Sequence, residues 1–327
     1  MTNKMWWLIW AAAAAAAQMM GPHGRMMGVL PKAIESKTNP LTPEKVELGR
    51  MLFHETRISR NGKLSCNSCH ALDRYGVDGE RVSAGHNGQR GTRNSPTVYH
   101  AAGHIAQFWD GRVVDVEEQA AGPMMNPAEM AMRSAEEVEK VLRSLRGYRE
   151  AFGKAFPGEA EPVTLANAAK AIGAFERTLV TPSRWDRFLE GDRTAITERE
   201  RMGHHTFMHT GCASCHNGVY VGGRMFQKLG VERPWPDQTD VGRMAVTKAR
   251  SDEMVFKVPS LRNVEKTGPY FHNGSVTRLE EAVRLMARHQ LDVELSGAEV
   301  ADLVAWLKTL TGGLRQDHLR KPKLPAD

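Results

Sequence analysis

Cys66-Asn67-Ser68-Cys69-His70 recurs in the second half of the chain as Cys212-Ala213-Ser214-Cys215-His216. In a C-x-x-C-H pentapeptide each thiol adds to a haem vinyl group and the histidine takes an axial position on the iron, so the pattern is that of covalent c-type haem attachment. The chain has four cysteines, and these two motifs use all of them. A structural zinc site and a redox dithiol also use C-x-x-C. Zinc-binding pairs, however, usually sit about 12 to 20 residues apart, and a thioredoxin-like dithiol needs no following histidine. Two covalent haems use every residue of both motifs.

A chain of 327 residues implies about two domains of ordinary size. One motif falls in each half, so one haem per domain is expected. Hydrophobic content of 41% and charged content of 25% are those of a globular protein. The N-terminus differs. Lys4 precedes Met5-Trp6-Trp7-Leu8-Ile9-Trp10 and the run Ala11 to Ala17, which together form a signal peptide over 1–17. A membrane-spanning helix wants about 20 apolar residues, so a cleaved signal is favoured over an uncleaved anchor. Covalent c-type haem is attached outside the cytoplasm, and the location expected is therefore periplasmic. Net charge is +6, from 44 Lys and Arg against 38 Asp and Glu. No Lys/Arg block is interleaved with aromatics, so nucleic-acid binding is not expected.

The segment 18–40, rich in Met, Gly and Pro, reads as a flexible leader. Thr42-Pro43-Glu44 then opens a helix with its N-cap, first-turn proline and first-turn acid. Ser65 to Asn126 is rich in Gly, Asn and Ser and has little periodicity, as suits a segment wrapped around a haem. Ser134-Ala135-Glu136-Glu137 reads as a capping box, and Thr164 to Leu179 as a further helix. Pro182 marks the domain boundary. Thr197-Glu198-Arg199-Glu200 caps a helix leading into Cys212, a long loop spans 218–275, and helices follow over 277–289 and from Ser296 to Gly312-Gly313. Strand signals are scarce. The fold expected is mainly α, with two cytochrome c-like domains (41–182 and 183–313) carrying their haems at a shared interface, and a basic tail over 314–327.

A haem with His and Met ligands transfers electrons at high potential, whereas an open or displaceable position admits peroxide. Met286, on the apolar face of the helix after the long loop, is the best sixth ligand for the second haem. Met225, Met244, Met254 and His272 compete with it, and a core methionine filling a gap is the bland alternative. For the first haem, His86 lies between Gly85 and Gly88 in a loop that glycine makes deformable. It is either a removable ligand or a solvent-facing loop histidine.

The ordered set Cys66–His70, Gly85-His86, Arg93-Asn94-Ser95-Pro96-Thr97, Ala106-Gln107-Phe108-Trp109-Asp110-Gly111-Arg112, Glu117-Glu118-Gln119-Ala120, Glu129-Met130, Cys212–His216, Leu261-Arg262-Asn263-Val264 and Pro269-Tyr270-Phe271-His272-Asn273-Gly274 resembles the bacterial di-haem cytochrome c peroxidases. The resemblance runs from about Leu41 to Leu310. It implies that the first domain is peroxidatic, with His86 as the displaceable distal ligand. It also implies that Trp109 lies between the haems, that Glu129 moves a proton between peroxide oxygens, and that Gln119 lines the same pocket. Asn94, Thr267 and the Pro269 carbonyl match a Ca²⁺ site at the domain interface, whose oxygen-only donors suit that ion. Met286 matches the axial methionine of the electron-entry haem; relatives that build a tryptophan-derived quinone in a partner protein carry tyrosine there. The implied activity is reduction of hydrogen peroxide by electrons from a small c-type cytochrome or copper protein, in a homodimer. A non-catalytic di-haem carrier and an enzyme maturing a protein-derived cofactor are the rivals. One departure is His100-Ala101-Ala102-Gly103-His104, which brings two histidines just ahead of the tryptophan motif, as unexpected ligands or as polar loop residues.

Overall fold

Helix starts in this chain are fixed largely by side-chain caps. The computed structural model describes residues 27–326. Thr42 accepts from the Lys45 N–H and opens α1, Pro43–Phe53. The first haem motif forms the single turn α2, Cys66–Cys69. Asp115 caps α3, Val116–Met125. Ser134 caps α4, Ala135–Ser144, and α5, Arg146–Ala155, follows at once. Thr164 caps α6, Leu165–Glu176. In the second half, a capping box of Ser183 and Asp186 opens α7, Arg184–Leu189, and one of Thr197 and Glu200 opens α8, Glu198–His209. Then come strand β1 (Phe226–Lys228), α9 (Met244–Thr247), strand β2 (Val255–Lys257) and α10 (Leu279–Leu291). Ser296 and Glu299 cap α11, Gly297–Thr309, and α12 spans Gln316–Leu319. The two strands pair antiparallel, Phe226 opposite Lys257. The fold is helix-rich with little strand.

Each half is built on one helix crossing, made possible by one glycine. In the first, α1 meets α6 at Gly49, where a Cβ would lie 1.8 Å from the Ala171 carbonyl oxygen. In the second, α8 meets α11 at Gly203, where a Cβ would lie 1.9 Å from the Asp302 carbonyl oxygen. A turn further along, an aromatic pair closes each crossing. Phe53 meets Phe175 edge-on at 5.5 Å, and Phe207 meets Trp306 at 4.4 Å. Around these crossings lie two separate cores, one centred on Leu48, Leu52, Tyr148 and Ile172, the other on Trp185, Phe207, Leu303 and Trp306.

Several elements differ from expectation. Helix α3 lies inside the stretch read as aperiodic; only Val116, Ala120 and Met124 are buried, and Gly122 and Pro123 hide that spacing. Ser134 does cap α4, but Glu137 reaches past it to the Arg133 N–H at 2.8 Å. The leader is not loose from Met27 onward. Met27, Leu30 and Ile34 are buried, the Leu30 N–H donates to Asp186, and the Ile34 N–H donates to the Arg177 carbonyl. This strap therefore lies along both halves; the signal and residues 18–26 fall outside the described residues. The basic tail also returns to the first half. Leu314 and Leu319 pack on its core, Arg50 donates to the Arg320 carbonyl and Arg57 to that of Pro325. Among the described residues no helix is long and apolar enough to cross a membrane.

Gly49→Ala and Gly203→Ala place a methyl where backbone already stands. Overpacking of this kind costs about 1–3 kcal/mol, more than the roughly 1 kcal/mol that alanine gains in helix propensity. Each variant is expected to unfold at lower denaturant than the native holoprotein, followed by circular dichroism.

Candidate active site

The first haem motif is held by the turn that follows it. His70 donates its N–H to the Cys66 carbonyl at 2.9 Å, and its ring Nδ1 lies 3.3 Å from the Gly76 carbonyl. That contact favours the ring proton on Nδ1 and leaves the Nε2 lone pair free for a metal, the usual arrangement for a ligating histidine. In the second motif His216 Nδ1 is buried without a hydrogen-bond partner among the described residues, with the Pro259 carbonyl nearby: a Cβ on Gly222 would lie 2.3 Å from that oxygen and 3.3 Å from His216 Nδ1. Burial lowers both histidines, His216 to about 4, so each stays neutral with a lone pair to give.

The cysteines suit haem better than the other users of C-x-x-C. All four are free, half-buried thiols. Burial, with Glu176 nearby, pushes the Cys66 thiol up to about 12, and burial raises Cys69 and Cys212 as well. A redox dithiol needs the opposite shift. Among the described residues no three His, Cys, Asp or Glu side chains converge as a zinc site would require.

Beyond the first motif, His86 and Glu129 are joined directly. The His86 N–H donates to the Glu129 carbonyl at 2.7 Å, and a Cβ on Gly85 would lie 1.9 Å from the Ala128 carbonyl oxygen. The His86 loop closes on itself through the Ala84–Arg90 bridge, with Asn87 to Arg90 exposed at its tip. His86 is half-buried and its Nδ1 is buried without a partner among the described residues. The Glu129 carboxyl accepts from Asn126 Nδ2 at 2.7 Å. Burial raises its pKa, opposed by the Asn126 hydrogen bond and the charge of Arg112. Asn126 stands at the C-terminal cap of α3, the helix that also carries half-buried Gln119. Sequence reading missed Asn126, although Asn126-Pro127-Ala128-Glu129 has the three-residue spacing that such a bond needs.

Trp109 stands where the halves meet. Its indole N–H donates to the Asn94 carbonyl at 2.9 Å, and its own carbonyl accepts from the Lys257 N–H at 2.8 Å. It packs in a cluster with Trp235, Met254, Phe256 and Met286. Met286 of α10 and Trp109 thus pack against the same core of Trp235, Met254 and Phe256. Of its competitors, Met254 is buried in the same cluster and His272 stacks on Phe256 at 4.3 Å. Asn94 donates its N–H to the His272 carbonyl at 2.7 Å, which draws it to the loop carrying Thr267 and Pro269. His100 and His104 are not loop-surface residues. His100 Nε2 accepts from the Thr181 N–H at 3.0 Å, and burial takes His100 down to about 3. His104 Nδ1 lies 3.2 Å from Lys257 Nζ.

The profile of the di-haem cytochrome c peroxidase family matches residues 43–194. The chain is 48% identical to the cytochrome c551 peroxidase of Nitrosomonas europaea over 87% of its length and 85% of that protein's. To the cytochrome c551 peroxidase of Pseudomonas aeruginosa it is 44% identical, over 89% and 85%. Among solved structures, a MauG-like protein associated with microbial copper homeostasis superposes with a TM-score of 0.78 at 31% identity, covering 90% of this chain and 97% of that one. Identity of this extent across both halves makes the protein a member of the di-haem cytochrome c peroxidase family, and an enzyme of the cytochrome c peroxidase type.

Proposed function

We propose that the enzyme reduces hydrogen peroxide to two waters beside His70, on the first of two haems, with two electrons from a small c-type cytochrome or copper protein entering through the second. The observation that carries this reading is Glu129, whose carboxyl is held by Asn126 and raised by burial and whose backbone carbonyl accepts from the His86 backbone N–H. When bound, the haem held by Cys66, Cys69 and His70 supplies the position for peroxide and passes it the electrons.

The protein moves the protons. Glu129 takes one from the nearer peroxide oxygen and returns it to the farther one, so that the leaving oxygen departs as water rather than hydroxide. Two further protons come from solvent and complete the second water. Gln119 orients peroxide within hydrogen-bond reach of Glu129. His86 would be the removable ligand of that haem, on a loop that Gly85 and Gly88 leave deformable. The backbone hydrogen bond from the His86 N–H to the Glu129 carbonyl ties the His86 loop to the segment that carries the acid–base group.

His216 and Met286 ligate the electron-entry haem, and Trp109 relays electrons between the halves. The contact of Met286 with the Trp109 cluster supports both assignments. Asn94, Thr267 and Pro269 bind Ca²⁺, supported by the bond that joins Asn94 to His272. The chain is exported to the periplasm and forms a homodimer, as the haem motifs and the resemblance imply.

Glu129→Gln keeps the shape and removes the base, so kcat for peroxide with reduced cytochrome c is expected to fall about 10²–10⁴-fold. Unchanged turnover would sink the acid–base role. Asn126→Ala removes a hydrogen bond that holds Glu129 down; its carboxyl rises further, and the acidic limb of the pH–rate profile moves to higher pH. Met286→Ala should leave both haems covalently attached while lowering the potential of the second, read by redox titration in the visible spectrum.

A further inference from the structure

Lys257 is buried at the junction of the halves and no carboxylate among the described residues forms an ion pair with it. A buried ammonium is costly unless an anion faces it. Burial alone pulls it down to about 8, which still leaves it charged at neutral pH. Its one side-chain hydrogen bond, among the described residues, runs to His104 Nδ1 at 3.2 Å. An ammonium can only donate, so Nδ1 accepts and the ring proton of His104 sits on Nε2. That nitrogen is buried and also lacks a partner among the described residues. The place is built with care: a Cβ on Gly223 would come within 2.3 Å of His104 Cδ2.

The missing acceptor can be identified from what lies along this strand. Lys257 N–H is bound to the Trp109 carbonyl, and two residues on, the Pro259 carbonyl lies against the His216 ring. The strand therefore runs from the junction tryptophan to the axial histidine of the second haem. A c-type haem brings two propionate carboxylates into the protein, and these are anions of the required kind. We propose that Lys257 is the counter-cation of a propionate on the haem held by Cys212, Cys215 and His216, positioning that haem at the junction and raising its reduction potential. The proposal rests on the reading that both motifs carry haem. Lys257 acts through the haem, as a positioning residue.

The test uses the full holoprotein with Lys257→Met and Lys257→Arg. Haem content is measured first, then the potential of each haem by spectroelectrochemistry and the propionate-bending modes by resonance Raman. Lys257→Met is expected to keep two haems per chain, shift the second haem to lower potential and move its propionate mode. Lys257→Arg, which keeps the charge, is expected to restore both. Native potentials and modes in Lys257→Met overturn the proposal. So does a Lys257→Arg protein as disturbed as Lys257→Met, because packing alone then accounts for the residue. If Lys257→Met does not mature, a native-like Lys257→Arg supports the need for charge, and failure of both variants overturns it. A native chain without haem at Cys212 and Cys215 sinks the haem reading together with this one; two native haems beside an indifferent Lys257 sink this one alone.

Discussion

The two cores of this molecule rest on two close helix contacts, at Gly49 and Gly203. Each glycine lets one helix backbone touch another, which sets the axis of the helix that runs toward a haem motif. From α1 the chain reaches Cys66, and from α8 it reaches Cys212 after two residues, Thr210 and Gly211. The partner helices, α6 and α11, close the cores against which the motifs sit. A side chain at either glycine would push the two axes apart. The motif, its histidine and the turn behind that histidine would then move together.

The halves share this frame and diverge beyond it. In the first, the loop after the motif brings His86 onto the Glu129 segment. In the second, the longer loop returns through β2 to Trp109 and ends at α10, where Met286 enters an apolar cluster. One frame thus carries a polar surrounding that includes His86 and Glu129 in one half and an apolar cluster that takes in Met286 in the other. Trp109 and Lys257 lie where the two environments meet, tied by a backbone hydrogen bond.

Much of this was legible in the sequence because caps and covalent motifs are local signals. Thr42, Thr164, Thr197 and Ser296 each stand where the helix they announce begins. The haem motifs name their own chemistry, and their order with Trp109 and Glu129 carried the family. Long-range placement was not legible. Nothing around Met27 to Ile34 says that a Met- and Pro-rich stretch will find Asp186 and Arg177. Nor does a lone Lys257 in a hydrophobic triplet say that it will be buried, since that depends on the approach of His104 from the other half. The repeated Gly-x-x-x-Phe of Gly49–Phe53 and Gly203–Phe207 could have been read, but its meaning lies in the partner helix, remote in sequence.

The C-terminal tail belongs to the first half of the molecule. Leu314 and Leu319 cover the first core, and Arg50 and Arg57 are engaged by the carbonyls of Arg320 and Pro325. The first half is therefore finished by residues that follow the second in sequence. Without those residues α1 would lose part of its outer cover.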